Sequence, residues 1–302
     1  MLVACGQAPE APVVISGSMN DLQIYTVNYP LAYMAERIGG EYVNVSFPAP
    51  GDVDPAFWQP GPEDILAYQG ADLILLNGAG YAKWRAQASL PTAGMVDTSA
   101  AFSDRLIEVP ANVRHKHGPE GDHSHGDVAF TTWLDPDLAA MQAQAIKQAM
   151  VEARPEQAAE FDEAYEALTS DLEAWDKTAA EAFAQLAQAQ LIFSHPVYQY
   201  LQRKYGLTGQ TLMWEPDEPV SPADISALAD AVDAGSPGPR LIIWEAEPLA
   251  ANRDALRALG YQSIVFSPLA NRPASGDYLT GMAANVERLN KVRNDKGSTE
   301  EQ

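Results

Sequence analysis

The residues of this chain best suited to metal chemistry are its five histidines, four of which are crowded together. His115, His117, His123 and His125 stand in HKHGPEGDHSHG, with Glu120 and Asp122 among them. Neutral imidazole is a common transition-metal ligand, and closely spaced histidines on a Gly- and Pro-bearing segment can converge on one ion. The same composition also describes a solvated polar loop, and the entropy of ordering such a loop opposes tight binding. The fifth histidine, His195, stands apart in Ser194-His195-Pro196. A second kind of chemistry is open to the aromatic residues Phe57, Trp58, Trp133, Trp214 and Trp244 together with Glu215, Glu245 and Glu247. Such a set could line a pocket for an organic or cationic solute. Catalytic patterns are wanting: no G-x-S-x-G, H-E-x-x-H or phosphate-loop motif occurs. Gly78-Ala79-Gly80 has Lys83 where a dinucleotide fingerprint needs its third glycine. Ser194 and His195 are neighbours, and neighbours on a strand point to opposite faces. These patterns give an enzyme little support.

The chain has 302 residues, 46% of them hydrophobic, with 19 Lys+Arg against 41 Asp+Glu and a formal net charge of −22. A field of that sign repels phosphate backbones, which argues against a nucleic-acid partner. No apolar run is long enough to span a bilayer. The single cysteine excludes an intrachain disulfide and any Cys-based zinc module. That cysteine, Cys5, follows Leu2-Val3-Ala4 and precedes a polar, Pro-containing stretch. Leu-Val-Ala-Cys resembles the bacterial lipobox, in which a signal peptide is cut before a cysteine that is then lipidated. Cys5 is the expected lipidation site, with the protein lying outside the cytoplasmic membrane.

Positioning these residues requires strands and helices in alternation, and the hydrophobic pattern supplies them. Strand-like runs at Leu22–Asn28, Tyr42–Phe47 and Ala71–Asn77 alternate with helical segments at Pro30–Ile38 and Glu63–Gln69. The rhythm recurs in the second half, with strands at Leu191–Ser194, Leu241–Glu245 and Ser263–Phe266. Repeated βαβ units imply parallel sheets covered by helices on both faces. Between the halves, Phe161, Tyr165, Leu168, Leu172, Trp175, Ala179, Phe183 and Leu186 recur at steps of three and four. That stripe predicts one helix over Glu156–Ala187, about 48 Å long at 1.5 Å per residue, opened by Pro155. A helix of this length must pack along two lobes.

The stretch IYTVNYPLAYMAERIGGEYVNVSFPAPGDVDPAFWQPGPEDI (24–65) resembles the zinc/manganese-type (TroA-like) substrate-binding lipoproteins of bacterial ABC importers. The resemblance continues through GADLILLNGAGYAKW, TTWLDPDLAA, FSHPVYQYLQRKYGL, EPVSPADISAL, IIWEAEP and YLTGMAANVERL, in the family's order. It implies an α/β fold of two βα lobes with parallel sheets, joined by one long backbone helix, with the ligand cleft between the lobes. The divisions expected are a lipobox remnant and linker (1–20) and a first lobe (21–154) carrying a His-rich loop (114–126). A spine helix (155–188), a second lobe (189–291) and a polar tail (292–302) follow. The implied activity is capture of a divalent metal, zinc before manganese, and its delivery to a membrane permease by a lipid-anchored, monomeric protein. Family members normally hold the metal with four side chains. His195 matches the third of these positions, while Ala56, Thr131 and Ser267 stand at the other three. Alanine cannot coordinate, and hydroxyls are poor zinc ligands beside imidazole or carboxylate. His195 is thus expected to be a lone imidazole in the cleft, and any zinc to depend mostly on the four loop histidines. A non-metal solute in an aromatic-lined cleft, or a surface adhesin, is the alternative on the same scaffold.

Overall fold

The computed structural model describes residues 21–109, 114–116, 122–124, 128–231 and 238–297. Cys5, His117, Glu120 and His125 lie outside them.

The first lobe is built on four parallel strands, β1 (Leu22–Thr26), β2 (Val43–Ser46), β3 (Leu73–Leu76) and β4 (Met95–Asp97), in the order β2-β1-β3-β4. Helix α1 (Tyr29–Gly39) links β1 to β2, and α2 (Pro62–Gln69) precedes β3. The start of α1 is specified locally: the Asn28 side chain accepts from the Leu31 amide at 3.1 Å, and Pro30 occupies the first turn. Gly40, at φ +52°, ends it. Helix α3 (Pro136–Ala153) closes the lobe, capped by the Asp135 carboxylate, which accepts from the Asp137 amide at 3.0 Å. Burial pushes the Asp135 carboxyl above its usual range. Between α3 and the sheet lies a buried polar network. Gln142 donates to Asn77 Oδ1 (3.2 Å) and Thr98 Oγ1 (2.9 Å), and Asn77 donates to the Phe130 carbonyl at 2.9 Å. Asn28 joins it by donating to Asn77 Oδ1 at 3.1 Å. Each member answers another's hydrogen-bonding need, which is what allows amides to be buried at all.

The expected spine is present as α4 (Ala158–Ala184), about 40 Å long at 1.5 Å per residue. It is shorter than the stripe alone predicts, because Pro155–Gln157 forms a separate 3₁₀ turn and the chain leaves the helix before Leu186. Phe161, Leu168, Leu172, Trp175, Ala179 and Phe183 are buried along one face. That face packs on α1 and α3 of the first lobe and on α5 (Gln199–Tyr205) and α8 (Tyr278–Gly297) of the second.

The second lobe repeats the design. Strands β7 (Gln190–Phe193), β8 (Gly209–Thr211), β9 (Arg240–Trp244) and β10 (Tyr261–Val265) form a parallel sheet in the order β10-β9-β7-β8. Read from β8, this is the first lobe's order. Both faces of its middle strands are buried, which is why they read as unbroken apolar runs. Leu191, Phe193, Leu241 and Ile243 face the main core, and Ile192, Ile242 and Trp244 face a second core under α6 (Pro222–Ala231) and α7 (Ala250–Ala258). Four short strands were not anticipated by the hydrophobic pattern: β4, β8 and the two strands of a hairpin. That hairpin pairs β5 (Arg114–Lys116) with β6 (Asp122–Ser124), setting the His115 backbone opposite that of His123. Among the described residues, no helix is long and apolar enough to cross a membrane.

Candidate metal centre

In open parallel sheets, ligands collect outside the carboxyl ends of the strands, where the strand order reverses. In the second lobe that place lies between β7 and β9. His195 comes two residues after β7 ends, Glu245 directly after β9, and Glu215 shortly after β8. Backbone hydrogen bonds carry the sheet past the strand ends: Ser194 N donates to Ile243 O at 2.9 Å, and Trp214 N to Ser194 O at 2.8 Å. The three side chains are thereby drawn to one spot, their donor atoms within 4.8 Å of one another. His195 Nδ1 lies 3.5 Å from Glu215 Oε1, with the imidazole only 1% exposed and the Glu215 side chain 12%. Two donors each about 2.0–2.2 Å from a tetrahedral zinc would themselves be about 3.3–3.6 Å apart. The His195–Glu215 distance falls within that range, and the third side chain lies within 4.8 Å of both. Among the described residues, this is the one place where three potential metal-ligating side chains converge.

Ligand positions taken by motif leave His195 a lone imidazole; the structure sets Glu215 and Glu245, both named above as possible polar contacts, beside it. The pairing of Glu215 with His195 has no trace in motif spacing, since Glu215 enters from β8, a three-residue strand with all positions exposed. The three substituted positions have other work. Ala56 is buried in an Asx turn, its amide donating to Asp54 Oδ1 at 2.9 Å. The buried Thr131 hydroxyl donates to the Val197 carbonyl at 2.6 Å, tying the first lobe to the loop that carries His195. Ser267 is fixed through its backbone, which donates to and accepts from the Asn285 amide side chain at 2.9 and 2.8 Å.

The expected aromatic lining is also corrected. Trp133 is buried, its indole N–H donating to the Pro268 carbonyl at 2.8 Å and its carbonyl accepting from Tyr278. Trp244 belongs to the second core, stacked on the half-buried Trp214 with centroids 6.2 Å apart, and donates towards Ser263. Trp58 packs edge-on against Trp84. Trp133 and Trp244 thus serve packing inside the protein, while Trp58 and Trp214 stay partly exposed beside other rings. Glu247 pairs with Arg253 on the surface. Tyr198, whose hydroxyl donates to the Phe266 carbonyl at 2.7 Å, has its ionisation pushed up by burial and by the nearby Glu245 charge. The side chains of His115 and His123 lie outside what the structure describes.

Several contacts tie the two lobes together. Tyr29 N donates to Ala270 O at 3.0 Å, Arg272 pairs with Glu36 at 2.8 Å, and the Asn271 amide donates to the Pro50 and Val53 carbonyls. Leu269, at φ +57°, holds a left-handed conformation unusual for a branched side chain, beside the Pro268 carbonyl that receives Trp133.

Comparison with known proteins agrees with this architecture. The zinc-binding lipoprotein AdcA of Streptococcus pneumoniae (strain TIGR4) is 25% identical over 308 residues, covering 98% of this chain and 59% of its own. The high-affinity zinc uptake system protein ZnuA of Bacillus subtilis is 25% identical over 231 residues, covering 76% and 72%. The chain thus spans about three fifths of the length of the AdcA relative. The metal-dependent lipoprotein YcdH from Bacillus subtilis superposes with a TM-score of 0.76 at 22% identity, over 89% of this chain and 98% of that one. The Zn(II)-bound ZnuA-like domain of Streptococcus pneumoniae AdcA gives 0.74 at 20% identity, over 90% and 98%. The profile of the family described as ZnuA, zinc-uptake complex component A periplasmic, matches residues 24–292. With most of its length in that match, the chain belongs to this family of metal-importer binding proteins.

Proposed function

We propose that this protein captures a divalent metal, zinc in the first place and manganese less readily, outside the cytoplasmic membrane and hands it to the permease of an ABC importer. The observation that carries the reading is the meeting of His195 with two carboxylates at the reversal point of the second sheet, in a chain of this family. Capture and release need no bond to be made or broken in the cargo, so the protein works as a non-catalytic, monomeric carrier. The lobe contacts through Thr131, Asn271 and Arg272 keep the cargo between two covers until the permease receives it. The four loop histidines, His115, His117, His123 and His125, serve as loose auxiliary contacts that gather further metal ions apart from the one held at His195. Protein purified without chelator or affinity tag and analysed by native mass spectrometry with elemental analysis should carry, or take up, one zinc ion per chain in the cleft. A chain that binds neither zinc nor manganese, or that retains an organic adduct instead, overturns the reading.

The anchor is proposed on Cys5, from the Leu-Val-Ala-Cys tetrapeptide. Stable anchoring needs more than one acyl chain. Expressed in a bacterium with a lipoprotein signal, the wild type should incorporate radioactive fatty acid and partition with membranes, and Cys5→Ser should do neither. Equal labelling of the two would show that lipid is not attached there.

A further inference from the structure

We propose that the cargo site has moved wholly onto the second lobe, where His195, Glu215 and Glu245 form the complete protein ligand set, the first lobe supplying none. This deepens the metal-capture reading above and rests on it. Three observations converge. The first lobe's positions for an interlobe cage hold Ala56, which has no donor, and the buried Thr131, a neutral hydroxyl and poor zinc ligand whose proton goes to the Val197 carbonyl. On the second lobe, by contrast, each of the first three strands of the sheet delivers one ligating residue at its carboxyl end. The corresponding strand ends of the first lobe carry Asn28 after β1 and Asn77 after β3, two neutral amides hydrogen-bonded to each other at 3.1 Å. The two lobes share one strand order, yet they carry different chemistry at the same location: two neutral amides in the first, and an imidazole with two carboxylates in the second.

The chemistry of the ion follows from the donors. Two carboxylates offset the charge of a divalent cation, and one imidazole with two oxygen donors is a harder set than a cage rich in histidine. Three donors also leave at least one coordination position for water. The site should therefore take zinc while discriminating against manganese and cobalt less sharply than an all-imidazole cage does. Because every donor follows a strand end of the same sheet, the ion should load before the lobes close, with closure acting as a cover.

Competition against a chromophoric chelator, with the full chain and zinc, then cobalt, then manganese as the metal, tests this. Glu215→Gln and Glu245→Gln should each lower zinc affinity at least about 10–100-fold, since loss even of an outer-shell partner commands that range. The double variant should hold no zinc at chelator-limited concentrations, and Glu247→Gln, off the cluster, should match wild type. Glutamine keeps the size and shape of glutamate, so the metal-free variants should fold and melt close to wild type and lose only the zinc-induced rise in melting temperature. Wild-type affinity in both Glu variants, in a chain that does bind zinc, would overturn the second-lobe site and leave metal capture standing. A wild type that binds none of the three metals would instead overturn metal capture itself.

Discussion

Replacing Phe183 with alanine is expected to cost about 3–5 kcal/mol of stability, the range for emptying a buried aromatic site. The ring is 1% exposed, stacks on Tyr205 with centroids 4.7 Å apart and tilts against Phe266 at 5.8 Å. It lies near the end of the spine and touches Tyr205 of α5 and Phe266 just past β10, so the loss reaches beyond α4 itself. Roughly 2–4 °C in melting temperature for each kcal/mol places the fall on the order of 10 °C. Calorimetric melting of the metal-free protein reads it directly. An unchanged midpoint would mean that the spine does not unite the lobes.

The spine was legible because its signal is long and periodic: six of the eight stripe residues lie buried on the face of α4 that meets both lobes. The central strands were legible for a related reason, since burial on both faces forces continuous apolar runs such as Leu73–Leu76 and Leu191–Phe193. Edge strands carry no such demand. Met95–Asp97 and Gly209–Thr211 are three residues each, and the second is exposed throughout, so nothing in their composition marks them. The site suffered from the same gap. His195 stood out by resemblance, but its partnership with Glu215 depends on β8 pairing alongside β7, a tertiary fact with no local trace. Comparing ligand positions one at a time registered what was lost at Ala56, Thr131 and Ser267. It could not register what a neighbouring strand end supplied. The tryptophans misled for the opposite reason, because large aromatics near strand ends fill cores more often than they line clefts, as Trp133 and Trp244 do here.

The four loop histidines and His195 make opposite claims on the metal, and this is where the largest effect on binding is expected. A ligand whose imidazole is 1% exposed and 3.5 Å from a carboxylate sits in a prearranged site, whereas a loop must lose conformational entropy before it can coordinate. Isothermal titration with zinc, comparing wild type, His195→Ala and a chain lacking residues 115–125, sets the two against each other. The account predicts that His195→Ala lowers the affinity of the tight site by about 100-fold or more, exceeding the effect of losing an outer-shell partner. It predicts that the deletion removes only weak, superstoichiometric binding and leaves the tight site within a few-fold of wild type. A deletion that abolishes tight binding, beside a His195→Ala variant that keeps it, would contradict the account and return the metal to the loop.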